Sequence, residues 1–430
     1  MSILMNEYRV LMQEMAKKYK DPSLAQELTF PVSYPTSILP LDFMNGVRST
    51  VTELNRDISY TYDSIGLEEG SIVMLVGKPG CGKTSLAIQA ATSIAKRFNE
   101  SIILHEDAEG GTSLTRIQTL SGWSTRQLVS QYSPRGAGIT SDSFFERVNK
   151  FCEQKIELAQ KYPDELYYFT GIIDYNGKPV YKLVPSFVIL DSLAMLSPVG
   201  MTLEEKIAGN MSAAQVAKIN KQVFVRLAQP LKKANVIMLI VNHLNQNISI
   251  NPFAGKSAQT NYLSAEETIP GGTTPLYLSN NVFKLTPSVK LVAEKDFGIN
   301  GFMIKNKMIK SRTNRAGQEI TMVYDQTYGF DRLFTCYQML KENGLVHGSG
   351  AWFYLEGLPN IKFQQKAFKS KLEDNLIMRQ CFRELSVYAC EQLLNTSNTQ
   401  SAESEEEIEN IFMNSLNEND YKKEYEYDIA

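Results

Sequence analysis

The chain of 430 residues is 43% hydrophobic and 21% charged, the balance of a globular protein with room for one large α/β domain plus smaller attachments, or for two to three ordinary domains. No stretch approaches the ~20 apolar residues of a membrane span and the N-terminus lacks a signal-peptide pattern, so a cytoplasmic setting is expected. Five cysteines without Cys-x-x-Cys spacing and only three histidines give no sign of a zinc site or a disulfide frame, and the net charge of −3 conceals an acidic tail, Glu403 to Asp428, without which the chain is mildly basic and open to an anionic partner.

Residues 5–19 place Tyr8, Leu11, Met12 and Met15 at helical spacing, an amphipathic helix whose stripe packs either on its own domain or on a neighbouring subunit. A linker and a short apolar stretch lead to Pro35–Gly46, then to a polar insertion at about 47–64. Ile72 to Val76 is an unbroken apolar run, which predicts a buried parallel strand, and Leu86, Ala87, Ala90 and Ala91 have the period of a helix packed on it. Between strand and helix lie Gly77, Lys78, Pro79, Gly80, Cys81, Gly82, Lys83, Thr84 and Ser85. The glycines let successive N–H groups point inward at the positive end of the helix, Lys83 can reach the β- and γ-phosphates, and the Thr84 hydroxyl is placed for Mg²⁺. This is the pattern of a phosphate loop, the other reading being a glycine-rich turn with a chance lysine, and the thiol of Cys81 matters less there than its backbone.

Ser101 to Leu104 reads as the second strand, ending in His105-Glu106-Asp107-Ala108-Glu109. At a strand end beside the nucleotide, Glu109 either polarises the attacking water or solvates a loop. A helix over 143–160 precedes two β-rich runs around Asn176-Gly177, which predict an inserted hairpin at about 166–184 with a type I′ turn. Phe187 to Leu190 followed by Asp191 is the pattern of a buried strand that delivers a carboxylate to Mg²⁺. Val236 to Val241 is another buried strand ending in Asn242-His243, where His243 is either an ordinary polar residue or a sensor of phosphate state.

The loop from Leu244 to Pro270 is long and polar, and its Phe253, Lys256 and Tyr262 suit stacking and phosphate contact with single-stranded nucleic acid, though they also fit an ordinary surface loop. After Gly271-Gly272 come two strand-like runs and the basic cluster Lys305 to Arg315, which continues into a strand at Glu319 to Tyr324 and is expected on a rigid edge. A small α+β domain is expected at about 335–395, with a disordered acidic tail after Thr396. The whole predicts an α/β architecture: a twisted, mostly parallel sheet flanked by helices over 35–334, with an arm over 1–34.

In this order the pieces resemble the RecA family of homologous-recombination ATPases, most closely the UvsX-type recombinases of large phages. The carriers are Thr36 to Asp42, Gly77 to Thr84, Asp107-Ala108-Glu109, Leu190-Asp191-Ser192, Val241-Asn242-His243, Gly271 to Tyr277, Lys310 to Thr313 and Gly350-Ala351-Trp352. The resemblance implies an ATPase that forms a helical filament on single-stranded DNA and pairs it with homologous duplex, with single-strand-binding and loader proteins as possible partners. It makes Glu109 the general base, Asp191 a Mg²⁺ residue and His243 the γ-phosphate sensor, and it makes Lys310 and Arg312 cations that reach a neighbour's ATP. The loops at about 194–212, with Lys206, and after His243, through Gly271 and Gly272, correspond to the family's DNA-binding loops. The acidic tail is similar to one that competes with DNA.

Three departures stand out. Arg116 occupies the position of the family's adenine-stacking tyrosine, the insertions at 47–64 and 166–184 have no family role, and Lys305 and Lys307 match another version of the interface pair. A hexameric replicative helicase shares the core fold, but the roughly 70 residues before the phosphate loop are short for its N-terminal domain. A non-hydrolysing filament paralogue would have no need of Glu109.

Overall fold

The computed structural model describes residues 10–11, 14, 31–53, 58–136, 138–173, 179–196, 210–246, 258–288, 297–395 and 400–402. Most of the predicted N-terminal helix, the Asn176-Gly177 turn, Lys206, Phe253, Lys256 and the acidic tail lie outside them.

Short elements come first: β1 (Ser33–Tyr34), α1 (Leu39–Asn45), the pair β2 (Arg48–Glu53) and β3 (Ile58–Asp63), and β4 (Leu67–Glu68). The central alternation follows with β5 (Ile72–Gly77), α2 (Lys83–Ala95), β6 (Ile103–Asp107), α3 (Leu114–Ser121), α4 (Thr125–Gln131), β7 (Tyr132–Arg135) and α5 (Ser141–Lys161). Next are α6 (Pro163–Leu166), the hairpin β8 (Tyr167–Ile173) and β9 (Pro179–Leu183), β10 (Ser186–Asp191), α7 (Asn210–Lys233) and β11 (Val236–His243). The chain continues through β12 (Asn245–Gln246), β13 (Glu267–Thr268), α8 (Thr273–Leu278), β14 (Asn281–Pro287), β15 (Gly301–Ser311), β16 (Glu319–Asp325) and β17 (Gly329–Asp331). It closes with α9 (Arg332–Glu342), β18 (Val346–Ser349), β19 (Trp352–Leu355), α10 (Phe368–Asp374), α11 (Leu376–Leu393) and β20 (Gln400–Ala402).

Nine strands form one sheet in the order β17-β16-β15-β14-β5-β11-β10-β6-β7. From β14 to β7 every pairing is parallel, and β15, β16 and β17 add antiparallel strands. The apolar runs are continuous because the parallel part is covered on both faces. Alternate residues of one strand enter different cores. Val73 and Leu75 of β5 pack with Leu86, Ala87 and Ala91 of α2, whereas Ile72, Met74 and Val76 face the side covered by Phe144 and Val148 of α5 and Phe224 and Leu227 of α7. Among the described residues no helix is long and apolar enough to cross a membrane.

The structure changes four expectations. The second strand runs to Asp107, where it stays paired with β10, rather than stopping at Leu104, and its buried polar residues have charged or polar neighbours: Glu106 ion-pairs with Arg147 Nε at 2.9 Å and Arg135 Nη1 at 3.6 Å, and Tyr132 Oη lies 2.9 Å from His105 Nδ1. The basic cluster is only partly on an edge: Lys305 and Lys307 lie where β15 pairs with both β14 and β16, with Lys305 on Glu319 at 2.7 Å, whereas Lys310 is paired with β14 alone and Arg312 and Arg315 follow the strand. Gly271-Gly272 leads first into α8 and only then into strands. Finally, the polar insertion after residue 47 is a hairpin, β2–β3, to which β20 adds in parallel, so it anchors the end of the described chain.

The hairpin expected at 166–184 is present as β8–β9. Tyr168 of its inner face packs on Phe98 and bonds Tyr34 Oη at 2.9 Å. Residues 332–394 bury Phe334, Tyr337, Phe368 and Phe382 in the same core as Phe43 of α1 and Met322 of β16.

Candidate nucleotide-binding site

Register brings the site together. In the parallel ladders Asp107 stands opposite Asp191, and Gly77 opposite His243, so four strand ends line up at the carboxyl edge of the sheet. Open α/β sheets bind ligands at this edge. A cavity of about 350 Å³ opens there, lined by Gly80, Lys83, Thr84, Glu109, Asp191 and His243 among others.

The phosphate loop has the backbone its sequence predicts. Gly82 caps α2 with φ +79, a left-handed conformation that glycine adopts without strain, and no side chain caps the helix, which leaves its first N–H groups for an anion. A Cβ at Gly77 would lie 2.5 Å from the Leu285 carbonyl oxygen, so the close passage of the loop past β14 needs glycine. Lys83 Nζ donates to the carbonyls of Gly77 at 3.0 Å and Lys78 at 2.9 Å. Cys81 is buried beneath the loop and burial raises its thiol, in keeping with a structural rather than chemical part.

Thr84 Oγ1 donates to Asp191 Oδ2 at 2.6 Å. Burial pushes the Asp191 carboxyl up to about 6, the Thr84 bond works the other way, and the neighbouring Glu109 and Asp107 charges add to the rise. A buried carboxylate that ionises this reluctantly, beside a hydroxyl and facing a phosphate loop, is an oxygen donor set suited to a hard divalent cation. The Asp191–Ser192 peptide is cis.

Glu109 is held at both ends. Its N–H donates to the Asp191 carbonyl at 3.2 Å, and its Oε1 accepts from His243 Nε2 at 2.8 Å. The turn that presents it is built by Asp107, whose two carboxylate oxygens accept from the N–H groups of Gly110 and Thr112, each at 2.8 Å. Sequence reasoning gave Asp107 no role, although its place two residues before Glu109 was visible.

Arg116 lines the cavity. Its guanidinium donates to Tyr324 Oη at 3.1 Å, Ser85 Oγ at 3.3 Å and the Thr327 carbonyl. Tyr324 is a second wall residue that the sequence did not single out, because it arrives from β16, about 240 residues after the phosphate loop.

Asn242, which the sequence marked only as the neighbour of His243, and Lys284, which it did not mark, also shape the site. Asn242 Nδ2 donates to the Pro270 carbonyl at 2.8 Å, which closes the loop that begins after His243. At the loop's return, Glu267 of β13 ion-pairs with Lys284 of β14 at 2.6 Å. Burial opposes ionisation of Glu267, yet the bond from Lys284 holds its carboxyl below the usual range. Gly271 and Gly272, both at positive φ, pass against Leu193 and Ala217, and Asn220 Nδ2 donates to the Gly271 carbonyl at 3.2 Å. Tyr262 is 42% exposed and carries Lys307 Nζ 5.8 Å over its ring.

Lys310 and Arg312 do not line the cavity of their own chain. Both donate to the Tyr277 carbonyl at the end of α8, at 2.7 and 2.5 Å, and Lys310 also to that of Ser279. Burial, and then the Arg312 charge, push the Lys310 ammonium down to about 8.

No family model matches the chain. It is similar to protein RecA of Staphylococcus epidermidis, 23% identical over 300 residues that cover 68% of this chain and 69% of that protein. It is similar also to protein RecA of Aquifex pyrophilus, 21% identical over 340 residues (77% and 76%), and of Acinetobacter baylyi, 23% over 355 residues (80% and 83%). The similarity to RecA proteins runs across two thirds or more of the chain and includes the region of the largely parallel sheet.

Proposed function

We propose that the chain is an ATP-dependent recombinase of the UvsX type, which polymerises on single-stranded DNA and pairs it with homologous duplex. The observation that carries the reading is the meeting of the Thr84–Asp191 and Glu109–His243 pairs on one cavity with the phosphate loop. A pure nucleotide switch needs the first pair and not the second.

In this reading the N–H groups at the start of α2 and the Lys83 ammonium hold the β- and γ-phosphates, and Thr84 and Asp191 hold Mg²⁺. Bound Mg²⁺ supplies positive charge against the charge that develops on the phosphoryl oxygens. Glu109 takes a proton from the attacking water, and His243 fixes the direction of its carboxylate. Arg116, steadied by Tyr324, covers the base. Because His243 is followed directly by β12 and by the loop closed at Asn242 and Glu267, a shift at His243 passes into that loop. Lys206, Phe253, Lys256, Tyr262, Gly271 and Gly272 are the proposed DNA-contacting positions, and Lys310 and Arg312 the cations offered to a neighbour's ATP in a filament. Single-strand-binding and loader proteins and a cytoplasmic setting complete the reading.

The test is ATP hydrolysis by the purified protein with and without single-stranded DNA, with electron micrographs of the same mixtures. DNA-stimulated turnover with continuous helical filaments, both lost in Lys83→Ala, is the expected result. Closed six-membered rings that unwind forked duplex overturn it in favour of a helicase, and filaments without hydrolysis in favour of a structural paralogue.

A further inference from the structure

The charged residues of α11 follow an order that does not serve the helix itself. Arg379 and Arg383 stand in its amino-terminal half and Glu384 and Glu391 in its carboxyl-terminal half, with no acid in the first turn and no base in the last. The helix dipole favours the opposite arrangement. All four line one groove of about 750 Å³ along the outer face of α11, together with Leu376, Val387 and Tyr388. Leu376 is 74% exposed and Tyr388 54%. Among the described residues Arg383 has no acidic partner, and Glu384 accepts only from Gln380 Nε2, at 2.9 Å. Exposed apolar side chains interleaved with unpaired charges of both signs on one helix face mark a surface that another molecule covers.

We propose that this face of α11 pairs with the same face of a second copy, antiparallel, about a two-fold axis that passes between Arg383 and Glu384. The charge order selects this occupant. An acidic segment along the groove would meet Glu384 and Glu391, and a basic one Arg379 and Arg383, whereas an antiparallel copy sets each cationic half on the other's anionic half and opposes the two dipoles. Two-fold symmetry makes every contact occur twice. With Arg383 of one copy on Glu384 of the other, the register also puts Gln380 on Val387 and Arg379 on Tyr388. The guanidinium of Arg379 is fixed by the carbonyls of Leu372 and Glu373, which leaves its flat face for the tyrosine ring.

A cavity beside the face fits the same register. α1, α9, α10 and α11 enclose about 440 Å³ lined by Leu39, Leu333, Leu372 and Phe382, and Arg379 and Arg383 stand at its rim. Tyr388 of the second copy, placed on Arg379, covers its mouth. From Leu376 to Glu391 the crossing runs about 22 Å, and at its far end Glu391 is already paired with Arg48. The contact is distinct from the head-to-tail one proposed above, which hands Lys310 and Arg312 to a neighbour's ATP and repeats without closing. A two-fold contact closes at two copies, and this one needs neither nucleotide nor DNA.

The experiment is sedimentation velocity of the full chain over a concentration series, without nucleotide or DNA, so its outcome is separate from that of the ATPase and filament test. A monomer–dimer equilibrium is expected. Arg383→Glu and Glu384→Arg are each expected to raise its dissociation constant about tenfold, since each turns two attractions into two repulsions. Both residues are exposed, and an unchanged thermal unfolding midpoint checks that the fold is kept. The chain carrying both exchanges is expected to dimerise as wild type does, and equal amounts of the two single variants to form a mixed dimer. Wild type that stays monomeric throughout the series overturns the proposal, as does a dimer indifferent to either reversal. Single variants that stay apart when mixed overturn the two-fold register, and growth past two copies assigns the association to the head-to-tail contact instead.

Discussion

His243 Nε2 donates to Glu109 Oε1 at 2.8 Å, joining two side chains 134 residues apart in the chain across the ends of β11 and β6. The carboxylate therefore has one preferred direction in the cavity. Glu109→Gln is expected to lower turnover about a hundredfold to ten-thousandfold with nucleotide binding kept, as for loss of a general base. His243→Ala is expected to keep nucleotide binding and lose DNA stimulation, because the tether to the following loop goes with the ring. Steady-state hydrolysis and a fluorescent nucleotide titration, each with and without DNA, check both.

The Thr84–Asp191 bond makes metal dependence separable from phosphate binding. Thr84→Ala is expected to raise the Mg²⁺ concentration for half-maximal turnover about tenfold, the loss of one oxygen donor, while leaving binding of nucleotide in EDTA little changed. A metal titration at fixed ATP reads this directly. An unchanged midpoint would remove Thr84 from the metal.

Arg116 is held by Tyr324, Ser85 and the Thr327 carbonyl, so its guanidinium plane is fixed over the cavity wall. Arg116→Ala is expected to weaken ATP binding about tenfold, with turnover at saturation retained, since a base platform acts equally in ground and transition states. A fall in turnover at saturating ATP would instead assign Arg116 to the reacting phosphate.

Within one protomer Lys310 and Arg312 rest on the carbonyls of α8. If they serve a neighbour's ATP, Lys310→Ala and Glu109→Gln chains, each inactive alone, recover about a quarter of wild-type turnover when mixed in equal amounts, because one head-to-tail interface in four then pairs an intact base with an intact cation. No recovery would confine both residues to their own chain.

Lys155 of α5 is buried, with Nζ donating to the carbonyls of Val184 and Asn235, and burial pushes its ammonium from its ordinary 10.5 down to about 7. Between pH 7 and 10.5 the unfolded chain binds more protons at this residue than the folded one, so stability rises with pH in that window, by up to about 1.4 kcal/mol per pH unit. Urea unfolding at pH 7 and pH 9 should show the gain in wild type and a smaller one in Lys155→Met. Equal gains would place the effect elsewhere.

What the sequence determined by itself was local. The glycine spacing from Gly77 to Gly82 and the apolar runs of β5, β10 and β11 encode backbone shape and two-sided burial, and both can be read from neighbouring residues. The phosphate loop, Glu109, Asp191 and His243 were visible for that reason. Only the tertiary structure decided the rest, because polar residues take their places from partners far along the chain. Glu106 extends β6 into the core through Arg135 and Arg147, Tyr324 reaches the cavity from β16, and Lys284 fixes Glu267 at the loop's return. Basic residues of β15 were expected on a rigid edge, yet Lys305 and Lys307 lie where the strand is paired on both sides. Strand order, and with it the meeting of Glu109 with His243 and of Thr84 with Asp191, is a property of how the layers pack rather than of any one segment.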